Sequence, residues 1–156
     1  MKTSNYDFTK DLPVAKNTEK QITKYLMETQ NMNYLGECDN ADYDIKMEFS
    51  NGRQVTIEIK EDFGCKKTKN IAVEFESWGR KAGIQISKAD LYLYKVHEPN
   101  GKSGVYVIPT KELKKMISDK LYHRIVVGGD VGSNSKNYLF RLDVVKEHFK
   151  FLGNIK

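Results

Sequence analysis

Residues 43–62 read YDIKMEFSNGRQVTIEIKED, and this stretch decides the fold prediction for the chain. Apolar and polar residues alternate on both sides of an Asn-Gly pair, which is the strongest short-range signal for a β-hairpin. A tight two-residue turn at that pair would set the sum of paired residue numbers at about 103 and place Asp44 near position 59. The pattern therefore predicts a hairpin that brings Asp44 close to Glu58 and Lys60.

The polar faces of the two predicted strands suggest a metal site. Glu58 and Lys60 are two residues apart and point to the same side of their strand, and Asp44 lies on the polar face of the partner strand. Two carboxylates and a main-chain carbonyl such as that of Ile59 are the hard oxygen ligands that Mg²⁺ prefers. A neighbouring lysine can orient water or stabilise a charged transition state. The spacing alone favours the alternative, a cross-strand ion pair on a solvated face, worth less than about 1 kcal/mol.

Composition places the chain among globular proteins. Its 156 residues suit a single domain spanning 1–156, with 39% hydrophobic and 30% charged residues. There is no long apolar run and no apolar leader near the start, so neither a membrane span nor secretion is expected. Cys38 and Cys65 match no metal spacing and are interpreted as reduced cytosolic thiols. The net charge of +5 permits a polyanionic partner.

The rest of the chain predicts an α/β or α+β fold around a mixed sheet. A helix over 17–30 is predicted from an apolar stripe, with a capping box formed by Thr18 and Gln21 at its start. A second helix is predicted over 110–121, whereas 138–152 fits a strand or a helix equally well. The segment GGDVGS lacks the Gly-Lys-Ser/Thr of a P-loop and is predicted to be a loop. The further predicted strands cover 70–77, 92–96 and 104–109, and the 70–77 strand is expected to lie next to the hairpin.

The hairpin resembles the core of the PD-(D/E)xK nuclease superfamily, in which an aspartate on one strand precedes a (D/E)-x-K motif on the next. Asp44, Glu58 and Lys60 stand at those three positions, and Tyr43 occupies the place of the motif proline. Upstream, FTKDLPVAKNTEKQITKYL is similar to the first helix of the Holliday-junction-resolvase-like and phage-type branches, with Glu19 at the position of their glutamate. Downstream, NIAVEFESWGRKAGIQISKADLYLYKV resembles a strand and Gly-containing loop of phage-type members, so the resemblance covers 8–96.

The resemblance implies a restriction-endonuclease-like core and a DNA endonuclease that uses Mg²⁺, with Mn²⁺ able to substitute. Asp44, Glu58, the carbonyl of Ile59 and Glu19 would hold the metal, and Lys60 would assist hydrolysis. The implied substrate is branched or otherwise structured DNA in the cytoplasm of a bacterium or a phage-infected host. The oligomeric state is left open, a homodimer being one option. The alternative is a non-catalytic nucleic-acid-binding or assembly protein on the same fold.

Several residues after the motif have two interpretations each. Glu74 either completes the metal site in place of Glu19 or faces solvent. Gln85 contacts the site or the DNA strand, or is an ordinary polar loop residue. Trp78, Arg80 and Lys81 also have two interpretations. On an exposed loop, the tryptophan would stack on a base and the two cations would bind phosphates. Otherwise the tryptophan belongs to the core and the cations are ordinary surface charges. The histidines, which show no ligand spacing and are predicted to be structural, are His97, His123 and His148.

Overall fold

Two β-sheets and four α-helices form the part of the chain that the computed structural model describes, residues 8–38, 40, 42–128 and 134–156. The helices are α1 (Phe8–Gln30), α2 (Cys65–Thr68), α3 (Thr110–Ser118) and α4 (Leu142–His148). The strands are β1 (Asn33–Glu37), β2 (Ile45–Glu48), β3 (Gln54–Asp62), β4 (Asn70–Ser77), β5 (Arg80–Lys81), β6 (Leu91–His97), β7 (Ser103–Pro109), β8 (Arg124–Val127), β9 (Ser135–Arg141) and β10 (Lys150–Ile155). Positions 129–133 of the predicted GGDVGS loop lie outside the described residues.

The central sheet has six strands in the order β1-β2-β3-β6-β7-β10. It is mixed, because β3 and β6 run parallel while its other neighbouring strands are antiparallel. A second, antiparallel sheet has the order β5-β4-β9-β8. Tyr92 and Tyr94 of β6 belong to the core cluster that includes the second sheet, whereas Leu93 packs in the cluster beneath α1. The predicted α+β class with a mixed central sheet flanked by helices is confirmed.

Strand β4 does not lie next to the hairpin, which corrects the expected strand order. It pairs with β5 and β9 in the second sheet, and β6 occupies the place beside β3. Parallel neighbours such as β3 and β6 require a long crossover connection, and residues 63–90 supply it. That crossover contains α2, β4 and β5, so the chain leaves the central sheet after β3 and returns to it at β6.

The hairpin of β2 and β3 is present, but its turn is longer than predicted. Phe49 N donates to the carbonyl of Arg53 at 2.8 Å, which closes a loop of three residues rather than two. Gly52 adopts a φ of 88°, the left-handed conformation typical of three-residue hairpin loops. The register is therefore one residue away from the predicted one, and continuing it beyond β2 places Asp44 opposite Glu58 instead of position 59.

Helix α1 covers one face of the central sheet through Ile22 and Leu26, which are almost fully buried. It begins at Phe8, so the predicted capping box is wrong. Thr18 lies inside the helix, where its hydroxyl donates to the carbonyl of Val14 at 3.1 Å, a bond that mid-helix threonines commonly make. Although α1 has 23 residues, no helix in the described ranges combines the length and the apolar character that crossing a membrane requires.

The C-terminal segment resolves the ambiguity that the sequence left over 138–152. The end of β9, all of α4 and the start of β10 fall within it, so it is strand, helix and strand in turn. Strand β10 returns to the edge of the central sheet and pairs with β7. Phe140 of β9 and Val145 of α4 are buried in the core between the sheets. This last third of the chain therefore stabilises both sheets.

Candidate functional site

The motif lies where β3 extends beyond its partner β2. Pairing with β2 ends at Ile57, whereas pairing with β6 on the other side continues to Asp62. Within the described residues, no strand pairs with the open edge of β3 from Glu58 onward. Asp44, just before β2, occupies this edge: its N–H donates to the Ile57 carbonyl at 3.0 Å, and its Oδ2 accepts from the N–H of Ile59 at 2.7 Å. The carbonyl of Ile59 points to the same side as its N–H.

A cavity of about 390 Å³ opens beside this edge. Glu58 and Lys60 come from the sheet face that Tyr92 shares, whereas Glu19 comes from α1 on the opposite face. Glu19 can approach Glu58 and Lys60 here because β2 pairs with β3 only as far as Ile57 and leaves the rest of that strand edge uncovered. The cavity is lined by Val14, Ala15, Thr18, Glu19, Asp44, Glu58, Ile59, Lys60, Glu61 and Phe63. All five residues predicted to be catalytic or metal-binding thus line one cavity.

Glu58 is largely buried, with 14% of its side chain exposed. Its carboxylate lies 3.3 Å from Lys60 Nζ and accepts from the Ser87 hydroxyl at 3.4 Å. Burial, followed by the charge of Asp44, raises the pKa of Glu58, and Lys60 and Ser87 partly offset this rise. The pair of Glu58 and Lys60 is therefore not a fully solvated ion pair on a strand face.

Asp44 and Glu19 share this unfavourable electrostatic environment. Burial raises the pKa of Asp44, against the opposing effects of the Ile59 N–H and Lys60. Burial and then the charge of Asp44 raise the pKa of Glu19. Glu19 Oε1 is buried and has no hydrogen-bond partner among the described residues, with Lys16 Nζ 3.8 Å away. A cation in the cavity would relieve the repulsion among these carboxylates.

The oxygen atoms that line the cavity are of the chemical type that hard divalent cations bind. Three carboxylates and the Ile59 carbonyl are oxygen ligands suited to Mg²⁺ or Mn²⁺, and the unpartnered oxygen of Glu19 is free to accept such an ion. In the described residues, however, no three His, Cys, Asp or Glu side chains are gathered in an arrangement that could hold a metal ion as it stands. Binding of a metal would therefore require rotation of these side chains.

Glu74 and Gln85 lie outside the residues that line the cavity. Glu74 is on β4 in the second sheet, and its backbone packs so closely on Gly83 that a Cβ there would clash. The Gln85 amide donates to the carbonyl of Phe75 at 2.9 Å, so it fixes the turn after β5 against β4. Glu19, rather than Glu74, shares the cavity with Asp44 and Glu58.

Trp78, Arg80 and Lys81 form an exposed hairpin tip on the second sheet, apart from the cavity lining. Trp78 and Gly79 have φ of 53° and 74°, the two positive values of a tight type I′ turn between β4 and β5. Trp78 is 64% exposed, so the interpretation as a core tryptophan is wrong. The geometry leaves both the indole and the two charges available to a partner.

Sequence reasoning missed several residues of this region. Thr18, Glu61 and Phe63 line the cavity, although only Glu61 adjoins the motif closely enough to have been suspected. Ser87 is buried and donates to Glu58. No local sequence signal reveals these contacts, because they depend on the pairing of β3 with β6 and on the packing of α1.

Comparison of the chain with protein-family models, with curated proteins and with solved structures finds no match. The site must therefore be interpreted from its own geometry.

The raised pKa values predict that Glu19→Gln stabilises the metal-free protein at neutral pH. An acid whose pKa is higher in the folded state costs stability once ionised, in full above the folded pKa and not at all below the unfolded pKa. We expect the melting temperature at pH 8 to rise by about 2–4 °C, the shift that about 1 kcal/mol produces in a domain of this size. The gain should disappear near pH 4.

Thermal unfolding in EDTA, followed by circular dichroism across this pH range, measures the effect. Glu28→Gln is the matched control, since Glu28 is an exposed carboxylate on the same helix, and it should leave the melting temperature unchanged. A loss of stability in Glu19→Gln at pH 8 would contradict the expectation.

Proposed function

We propose that the protein is a metal-dependent DNA endonuclease with a PD-(D/E)xK, restriction-endonuclease-like core that hydrolyses phosphodiester bonds. One observation carries the proposal: Asp44, Glu58 and Lys60 line a single cavity together with Glu19, at the open edge of β3. A solvated strand face would not bury a glutamate to this extent or place a third carboxylate from a helix beside it.

In this proposal Mg²⁺ or Mn²⁺ is held by the carboxylates of Asp44, Glu58 and Glu19 and by the carbonyl of Ile59. The ion supplies polarisation of the phosphoryl oxygen and a more acidic water molecule. Lys60 Nζ, 3.3 Å from Glu58, is placed to orient the attacking water and to stabilise negative charge on the phosphate. The hydrogen bond from the Ile59 N–H holds Asp44 in position.

DNA binding would use the exposed hairpin tip of Trp78, Arg80 and Lys81 in addition to the cavity. The indole offers a surface for a base, and the two cations suit backbone phosphates. The net charge of +5 adds general attraction for a polyanion. Gln85 has its amide bound to β4, and we assign it a supporting role for that hairpin. The proposed substrate is branched or structured DNA in a bacterial or phage-infected cytoplasm.

A non-catalytic nucleic-acid-binding or assembly protein is the second candidate. It is favoured by the absence, among the described residues, of three acidic, histidine or cysteine side chains already gathered as metal ligands. The same exposed hairpin would serve such a protein equally well. The two candidates differ in whether DNA is cut when Mg²⁺ is supplied.

The decisive experiment incubates the protein with supercoiled, linear, single-stranded and four-way-junction DNA, in Mg²⁺ or in EDTA. The nuclease proposal expects cutting of at least one substrate in Mg²⁺ and none in EDTA, with binding retained in both. Binding without cutting under all conditions, including Mn²⁺, would support the second candidate instead. Analytical ultracentrifugation of the same samples tells a homodimer from a monomer.

Replacing Arg80 and Lys81 together with alanine should weaken DNA binding and reduce its dependence on salt. Each phosphate contact contributes a slope of about −0.9 in log affinity against log salt, so the double variant should lose about two units of slope. Fluorescence anisotropy in EDTA at several salt concentrations measures this. Lys111→Ala with Lys114→Ala, two exposed lysines of α3, is the control. An unchanged slope would remove the hairpin tip from the interface.

A further inference from the structure

Phe63 is an exposed aromatic residue at the rim of the cavity. It directly follows β3 and lines the same cavity as Glu58 and Lys60. It is 59% exposed, among the most exposed of the large apolar residues in the described part of the chain. Solitary exposed apolar residues are common and often have no role. Phe63, however, lies beside the carboxylates of the cavity and is held there by specific contacts.

One face of the Phe63 ring is fixed by His97. The two ring centroids are 4.5 Å apart and the rings are nearly parallel, at 13°. His97 is held in turn by Glu61, whose Oε2 lies 2.7 Å from its Nε2, and by the Ser103 hydroxyl, 3.4 Å from its Nδ1. Because the other face of Phe63 must account for much of its exposed surface, the structure leaves one flat aromatic face open.

Glu61, which holds His97, lies on β3 and contacts both α1 and β6. Glu61 of β3 is 11% exposed, accepts a hydrogen bond from Thr18 of α1 and lies 3.4 Å from Lys95 Nζ of β6. Glu61 is thus held by α1 and β6 as a fixed partner for the imidazole.

A ring ordered in advance by such a network makes a good stacking surface, because little conformational freedom remains to be lost when a partner binds. An apolar protein partner fits poorly, since its contact would also cover Lys60 and the carboxyl groups that line the cavity beside the ring. A nucleobase fits well: it is flat, it stacks on phenylalanine, and the phosphate attached to its sugar would enter the adjoining cavity.

We propose that Phe63 is the stacking platform for an unpaired nucleobase next to the phosphodiester held in the cavity. Only a base outside a regular duplex exposes its face in this way, so Phe63 would direct the site toward DNA with unpaired or displaced nucleotides. This inference rests on the proposed nuclease function, because the cavity must receive the phosphate. The substrate class is therefore DNA with single-stranded or distorted segments at the cut.

The test compares the parent protein with Phe63→Leu and Phe63→Trp. In EDTA, a DNA containing 2-aminopurine in a bulge should lose fluorescence on binding the parent protein and Phe63→Trp, but not Phe63→Leu. Phe63→Leu should bind this DNA about 5- to 100-fold more weakly than the parent and bind the fully paired duplex equally well. Phe151→Leu, which replaces a phenylalanine 51% exposed on β10, is the matched control and should behave as the parent.

In Mg²⁺, the parent should prefer the bulged DNA to the duplex as a cleavage substrate, and Phe63→Leu should lose that preference. Equal quenching by the parent and Phe63→Leu, or no quenching by the parent at saturation, would overturn the role of Phe63 even if cleavage is normal. If the parent cuts no DNA but quenching depends on Phe63, the nuclease proposal fails while the stacking platform is supported. The two failures are thus distinguishable.

Discussion

Glu58→Gln is expected to reduce Mg²⁺-dependent DNA cleavage by at least about 10²–10³-fold while leaving the fold intact. The amide preserves the size of the side chain and its ability to accept from the Ser87 hydroxyl, which lies 3.4 Å away. It removes the charge that would hold the ion and that faces Lys60 at 3.3 Å. Because the pKa of Glu58 is already raised by burial, loss of its charge does not threaten the folded state.

Plasmid nicking, cutting of a junction substrate and calorimetric titration with Mg²⁺ measure this effect. Glu48→Gln is the matched control, since Glu48 belongs to the same polar face on β2 but does not line the cavity. The control should cut and bind Mg²⁺ as the parent does. If Glu58→Gln also cuts normally, the motif is only a strand surface and the nuclease proposal is wrong.

Lys60→Ala is expected to lose cleavage to a similar degree, about 10²–10³-fold, yet still to bind Mg²⁺. An ammonium group is not a metal ligand, so the oxygen donors remain after its removal. The charge of Lys60 lowers the pKa of Glu58, and removing it allows that pKa to rise further. Protons then compete with the ion up to a higher pH, so the loss of Mg²⁺ affinity should be largest in acid and should shrink as pH rises.

Calorimetry at several pH values separates this behaviour from a general structural defect, which would weaken metal binding at every pH. Lys46→Ala, on the same face of β2 and outside the cavity lining, should leave both cleavage and Mg²⁺ affinity unchanged. Full activity of Lys60→Ala would remove the lysine from the proposed mechanism and would leave the proposed metal ligands unaffected.

The hairpin and the central part of α1 could be predicted because their signals are local. Alternation on both sides of the Asn-Gly pair requires only neighbouring residues, and the spacing of Ile22 and Leu26 defines one helix face. The turn length could not be predicted, because Asn-Gly suits both a two-residue turn and a three-residue loop with glycine in the left-handed conformation. That single residue of difference shifts the register of the hairpin by one residue.

The contacts behind the cavity could not be predicted because they join distant parts of the chain. The parallel pairing of β3 with β6 brings His97 to Glu61 across the long crossover, and no pattern in either strand specifies that pairing. Similarly, the early start of α1 places Thr18 against Glu61, whereas a capping signal had suggested a helix end there. The grouping of Asp44, Glu58 and Lys60 around one cavity could be predicted from the sequence, but the residues that support it could not.

The Asp44 carboxylate has a structural role besides its proposed role as a metal ligand, and this affects how variants at the site should be chosen. Oδ2 satisfies the Ile59 N–H, a main-chain donor that no strand of the described chain reaches. Leaving such a donor unpaired costs about 1–3 kcal/mol where it is buried. An Asp44 variant that loses activity would therefore confuse damage to the strand edge with loss of an ion ligand. Variants at Glu58 are easier to interpret, because its carboxylate accepts no hydrogen bond from a main-chain N–H of the described residues and contacts Ser87 and Lys60 instead.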